Sequence, residues 1–130
     1  MNVLETEWWT LLVPPEWWAE SEDHSILVGD RDDVGTIEVS TLHRNEGTFS
    51  AQDAAAVARE ESPEVSSWES VSAGDFEGVC GAFVEDDAAI REWYLVGDAL
   101  LLYITYSCDI DNQGLDDASV DEILDTLALL

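Results

Sequence analysis

The sequence predicts an α+β domain: a single twisted, mainly antiparallel sheet of about six to seven strands, flanked by two or three helices. Three observations carry this expectation. Ile37 and Val39 alternate with Thr36, Glu38 and Ser40, the period of a strand with one wet face. Three long apolar segments, Phe76 to Val84, Ala89 to Val96 and Leu100 to Cys108, are separated only by the tips Glu85-Asp86-Asp87 and Gly97-Asp98, which makes them a meander. Two further segments carry helical signals. The 130 residues make one domain, 1–130, because no linker, repeat or low-complexity tract divides them.

The first predicted strand is Trp8 to Val13, ended by Pro14 and Pro15, since proline cannot donate to a ladder. Glu16 to Asp23 reads as an acidic connection around Trp17 and Trp18. A short strand at Ile26 to Val28 leads through Gly29 to Gly35, with Asp30, Asp32 and Asp33, into Thr36 to Leu42. Ser50 and Asp53 form a capping pair before the Ala-rich helix that runs to Glu60. Trp68 to Val71 is a strand that Gly74-Asp75 turns into the meander. A last helix is expected over Val120 to Leu129, with Ser119 and Glu122 as the weaker cap and Val120, Ile123, Leu124 and Leu127 on one face. Both alternating sets of Leu100 to Cys108 are largely apolar, which places this strand centrally, covered on both faces.

The order of elements and the stretch WWTLLVPPEWW resemble a family. An aromatic strand, Val13-Pro14 and a Trp soon after, then two strands, a helix, a meander and a closing helix are similar to the PsbP-like α/β superfamily. GDFEGVCGAFVED, REWYLVGDALLLYITY and VDEILDTL extend the resemblance over nearly the whole chain. It implies a PsbP-like α/β sandwich and a small bacterial or archaeal member without assigned activity. Members of this superfamily include the extrinsic photosystem subunit and the Ran-release factor. They act mainly as binding proteins or adaptors, and the resemblance transfers no binding residue.

Charge sets the outer bounds on function. Four Lys+Arg against 30 Asp+Glu give a net charge of -26, and all four bases are Arg. Four scattered Arg cannot displace the counterions of a nucleic-acid backbone, and an anionic membrane repels such a chain. The absence of Lys removes Schiff-base chemistry and the phosphate-binding loop. The apolar run Ala99 to Tyr106 is short of the roughly 20 residues that span a bilayer. An amino terminus without a basic n-region gives a cytoplasmic expectation. Spread over about 6,800 Å² of surface, as a protein of 14.4 kDa exposes, the net charges stand about 16 Å apart. This exceeds the Debye length of about 10 Å at 0.1 M salt. The melting temperature is therefore expected to rise from about 10 to 150 mM salt and to gain little beyond; a flat profile over that interval would contradict this.

Catalytic and metal signatures are weak. Asp109, Asp111, Gln113 and Gly114 approach the spacing of a calcium loop, but Val120 stands where the bidentate Glu belongs. His24 and His43 have no partner at metal spacing, Cys80 and Cys108 lie in apolar runs as reduced core thiols, and no G-x-S-x-G elbow occurs. No cofactor, metal ligand or catalytic residue is nominated.

The Trp pairs are more informative, because neighbours on a strand face opposite sides and one of each pair must leave the core. Trp9, Trp17 and Trp18, with the acidic turn residues Asp32 and Asp33, form the candidate partner surface. The expected role is a non-enzymatic cytosolic binding or adaptor domain that engages a basic protein partner. The alternatives are a small hydrolase whose pocket the sequence does not reveal, or an immunity-type inhibitor of a cationic toxin. A salt-adapted composition explains the charge without any partner.

Overall fold

In a computed structural model of the chain, which describes residues 2–130, two antiparallel sheets and two helices form three layers. The strands are β1 (Asn2–Glu5), β2 (Trp9–Val13), β3 (Trp17–Ser21), β4 (Ile26–Asp30), β5 (Gly35–His43), β6 (Glu69–Ala73), β7 (Phe76–Glu85), β8 (Ala88–Gly97), β9 (Leu100–Asp109) and β10 (Ala128–Leu129). The helices are α1 (Ala51–Glu61) and α2 (Asp117–Leu124). The large sheet has the order β3-β4-β5-β9-β8-β7-β6, and the small one β1-β2-β10. The predicted single sheet is thus corrected to two.

The predicted meander is present, and β9 is the middle strand of seven. Its Leu102, Ile104, Tyr106 and Cys108 face the main core, shared with Trp9, Leu11 and Val13 of β2 and Val120, Ile123 and Leu124 of α2. Leu101 faces the opposite way, where Ala54 and Ala58 of α1 cover it with Val79, Tyr94 and Val96. This two-sided cover is what the double apolar pattern of the strand requires.

Helix α1 starts as its sequence dictates. The Asp53 amide donates to Ser50 Oγ at 3.2 Å and the Ser50 amide to the Asp53 carboxylate at 2.8 Å, closing a capping box. The closing helix is shorter than expected. It ends at Leu124, and the chain turns so that the Leu127 carbonyl accepts from the Asp75 amide and β10 pairs with β2. Leu127 remains buried at 1% exposure although it is no longer helical. Gly74, at φ +58°, permits this approach, because a Cβ there would strike the Leu127 carbonyl.

Two further segments depart from expectation. Residues Trp17–Ser21, predicted as a connection, form β3 at the sheet edge, where one free side tolerates Glu20. Asn2–Glu5 pairs with β2, although four residues alone carry no strand signal. The calcium-like segment is a short turn in which the Asp109 carboxylate accepts from the Asp111 amide, and Val120 is core. Among the described residues no helix is long and apolar enough to cross a membrane.

Candidate functional site: the open face of the large sheet

Register places the candidate site. Helix α1 lies against β7 and β8 and covers only part of its face of the large sheet. Beside it two cross-strand rows continue toward the β3 edge. One row runs Glu20, Leu27, Glu38, Thr105, Glu92, Gly81; the next runs Trp18, Gly29, Thr36, Ser107, Ile90, Phe83. On the opposite face of the same strands Val28, Ile37, Val39, Ile104 and Tyr106 are at most 2% exposed. On this face Trp18, Leu27, Ile90, Phe83 and Thr105 are half-buried, and Glu20, Glu38 and Ser107 are exposed. The result is an apolar floor studded with carboxylates and hydroxyls, with no helix over it.

The Trp pairs divide as alternation demands, but the predicted surface needs correction at two positions. Trp9 is fully buried, its indole N–H donating to Thr41 Oγ1 at 3.0 Å, and Trp17 is 5% exposed. Both share the core-facing parity of their strands, so neither belongs to a partner surface. Their neighbours are only half-buried, Trp8 at the margin of the core. Trp8 stacks on the exposed His43 at 5.0 Å between centroids, beside a hollow of about 400 Å³ whose walls include Glu7, Glu22 and Asp23. Trp18 lies across Gly29, where a Cβ would strike its ring, and its indole N–H donates to the Asp30 carbonyl at 3.2 Å. Trp18 is thereby a fixed wall at one end of the open face. Asp32 and Asp33 are exposed in the turn between β4 and β5, with Asp33 at φ +58°, beside that end of the face.

Sequence reasoning missed Glu92. It sits on β8 at 4% exposure, and its Oε2 accepts a short hydrogen bond from the Tyr103 hydroxyl. Its Oε1 is buried and has no hydrogen-bond partner among the described residues. Burial and this bond to Glu92 push the Tyr103 phenol well above its ordinary range. Beside it, Tyr94 and Ser62 share a 2.7 Å hydrogen bond, and Trp68 packs edge-on against Tyr94. A buried acceptor without a donor costs about 1–3 kcal/mol. The bases do not relieve it. Among the described residues the only ion pairs are those of Arg91, on the opposite face of β8, with Asp121 at 2.9 Å and Asp117 at 3.5 Å. Arg31 donates to the Pro15 carbonyl, Arg44 sits over Phe49 while donating to the Thr48 carbonyl, and Arg59 is exposed on α1.

One acidic pair has a structural occupation. Asp30, 6% exposed, accepts from the amides of Val34 at 2.8 Å and Gly35 at 3.2 Å, fixing the β4–β5 turn. Its carboxyl meets that of Asp116, which receives the Tyr106 hydroxyl at 2.7 Å at the start of α2. Burial and the contact with Asp30 raise the Asp116 pKa. Burial also pushes Asp30 upward, but the bonds from Asp116 and from the turn amides outweigh it and hold Asp30 below the usual carboxylate range. Burial raises both thiols, Cys80 and Cys108, so neither is poised as a nucleophile.

No family model matches the chain, and no curated protein matches it. Solved structures do. A crystal structure from Bacteroides thetaiotaomicron superposes with a TM-score of 0.69 at 17% identity over 95% of this chain, which spans 45% of that protein. The solution structure of cyanobacterial PsbP (CyanoP) from Synechocystis superposes with a TM-score of 0.63 at 11% identity, covering 94% of this chain and 86% of that one. The chain therefore has the PsbP-like α+β fold, as the aromatic strand, meander and closing helix led one to expect. At these identities the likeness concerns the fold alone.

Proposed function

We infer that this is a non-enzymatic binding domain that takes a basic segment of a protein partner on the open face of the large sheet. The observation that carries this reading is the combination on that face of a half-buried apolar floor, Trp18, Leu27, Ile90 and Phe83, with the carboxylates of Glu20 and Glu38. An uncovered sheet face takes a helix as its natural cover, and α1 already occupies the adjoining half. Carboxylates on a surface of this net charge select a cationic partner over an anionic one and accelerate its approach. The same chemistry accommodates an adaptor or an inhibitor of a cationic protein, and cytosolic residence is part of the reading.

Titration calorimetry with a short amphipathic peptide of Leu, Ala and Arg tests it. Micromolar binding that weakens with salt is expected, whereas the matching peptide with Glu in place of Arg does not bind. W18A and E38Q should each weaken binding by roughly threefold or more, because each removes a feature of a desolvated contact. D125N, beyond α2, should not. Equal losses in E38Q and D125N, with none in W18A, would show attraction by net charge without a site.

A further inference from the structure

Among the described residues Glu92 Oε1 is the buried side-chain atom of the open face that lacks a hydrogen-bond partner, and its surroundings define what completes it. On β9 the cross-strand neighbour of Glu92 is Thr105, and the neighbour of Thr105 on β5 is Glu38. The two glutamates are thus two strands apart in one row, about 10 Å between Cα atoms, and point to the same side. Glu38 is exposed and accepts from Ser25 Oγ at 2.8 Å. The opposite neighbour of Glu92 is Gly81, whose missing side chain leaves room for Val65 and Trp68 to sit over that position. Tyr103, bonded to Glu92, and Trp68, over the neighbouring Gly81, are only half-buried, so the position lies beneath side chains at the surface and not beneath the core.

We propose that Glu92 is a built anchor for a guanidinium: an arginine of the partner donates to the free Glu92 Oε1 and, over Thr105, to the Glu38 carboxylate. This rests on the reading of the open face as a basic-segment site and names the side chain that the site selects. Guanidinium fits better than ammonium for physical reasons. It is planar, carries five donors in a fixed fork, and sheds water more readily than a compact ammonium, as insertion beside a buried carboxyl requires. Its flat face also suits the border of Tyr103 and Trp68. Among the described residues no Arg bonds the free Glu92 oxygen: Arg91 is held on the opposite face by Asp117 and Asp121, and Arg59 is exposed on α1.

The test compares three peptides of one amphipathic sequence, carrying arginine, lysine or the neutral isostere citrulline, against wild type, E92Q and E38Q by calorimetry. Wild type is expected to bind the arginine peptide about tenfold tighter than the lysine peptide and to bind the citrulline peptide weakest. E92Q should abolish the arginine preference while leaving the lysine peptide within about twofold, and should be at least as stable as wild type without peptide, because a neutral amide replaces a buried carboxyl with one partnerless oxygen and its carbonyl still accepts from Tyr103. E38Q, a change at an exposed position, should reduce the preference in part and decides the matter if E92Q does not fold. An arginine preference undiminished in both variants overturns the anchor but leaves the basic-segment reading intact. Failure of both cationic peptides to bind wild type overturns both.

Discussion

Replacing Trp9 with alanine is expected to lower unfolding stability by about 3–5 kcal/mol, while the same change at Trp8, its immediate neighbour, costs about 1 kcal/mol. Trp9 is the largest fully buried side chain, and truncation leaves a cavity in the main core and the Thr41 hydroxyl without its donor. Trp8 is half-buried at the margin of that core, so its truncation forfeits a stack on an exposed histidine and some marginal packing without opening an enclosed cavity. Equilibrium denaturation of both variants checks this. A loss of 3–5 kcal/mol is a large share of the stability of a small domain, so W9A should be substantially unfolded at moderate denaturant where W8A is native. Similar losses for the two would mean that the small sheet does not seat β2 as described.

The asymmetry within each Trp pair was partly legible. Thr10 shares the parity of Trp8 and Glu20 that of Trp18, so a polar residue two positions away already marks the outward member. Charge obscured the rest. Glu16, Glu20, Glu22 and Asp23 made β3 read as a connection, because an edge strand keeps its pairing on one side and accepts charge on the other. The helical period ran on through Leu127, yet Leu127 is buried by its turn against Gly74 and Asp75, a contact that local periodicity does not encode. The capping box and the meander, whose signals are local, could be read directly. Glu92 could not be singled out among 30 acids, since its meaning depends on β8, β9 and β5 aligning so that Thr105 and Glu38 share its row, and a slip of one residue would send it to the other face. The open face is likewise a product of where α1 lies, against β7 and β8, and not of any motif.

The acid pair under α2 yields the other large effect, and its sign follows from linkage. Asp30 is held below the carboxylate range, so its share of stability is present above its unfolded pKa and fades as acid protonates it. Asp116 behaves oppositely. Its folded pKa is raised, so its contribution is complete below the ordinary value of 3.8 and is lost as pH climbs through the raised value. With the proton in place the two carboxyls share it; once it leaves, two buried-side anions face each other. D116N supplies a permanent donor to Asp30, keeps an acceptor for the Tyr106 hydroxyl, and retains a residue suited to the start of a helix. It should therefore melt several degrees higher than wild type at pH 7, with the advantage shrinking toward pH 4. Removing any negative charge from so acidic a protein also stabilises it, so D111N, exposed in the adjoining turn, is the control and should gain less. D30A is the converse change. It strips the acceptor from the Val34 and Gly35 amides and should cost about 3 kcal/mol at neutral pH, twice the lower-end net worth of about 1.5 kcal/mol for a hydrogen bond to a charged group. If D116N and D111N instead gained equally at every pH, the two carboxyls would be independent surface charges and not a pair that holds the β4–β5 turn against the start of α2.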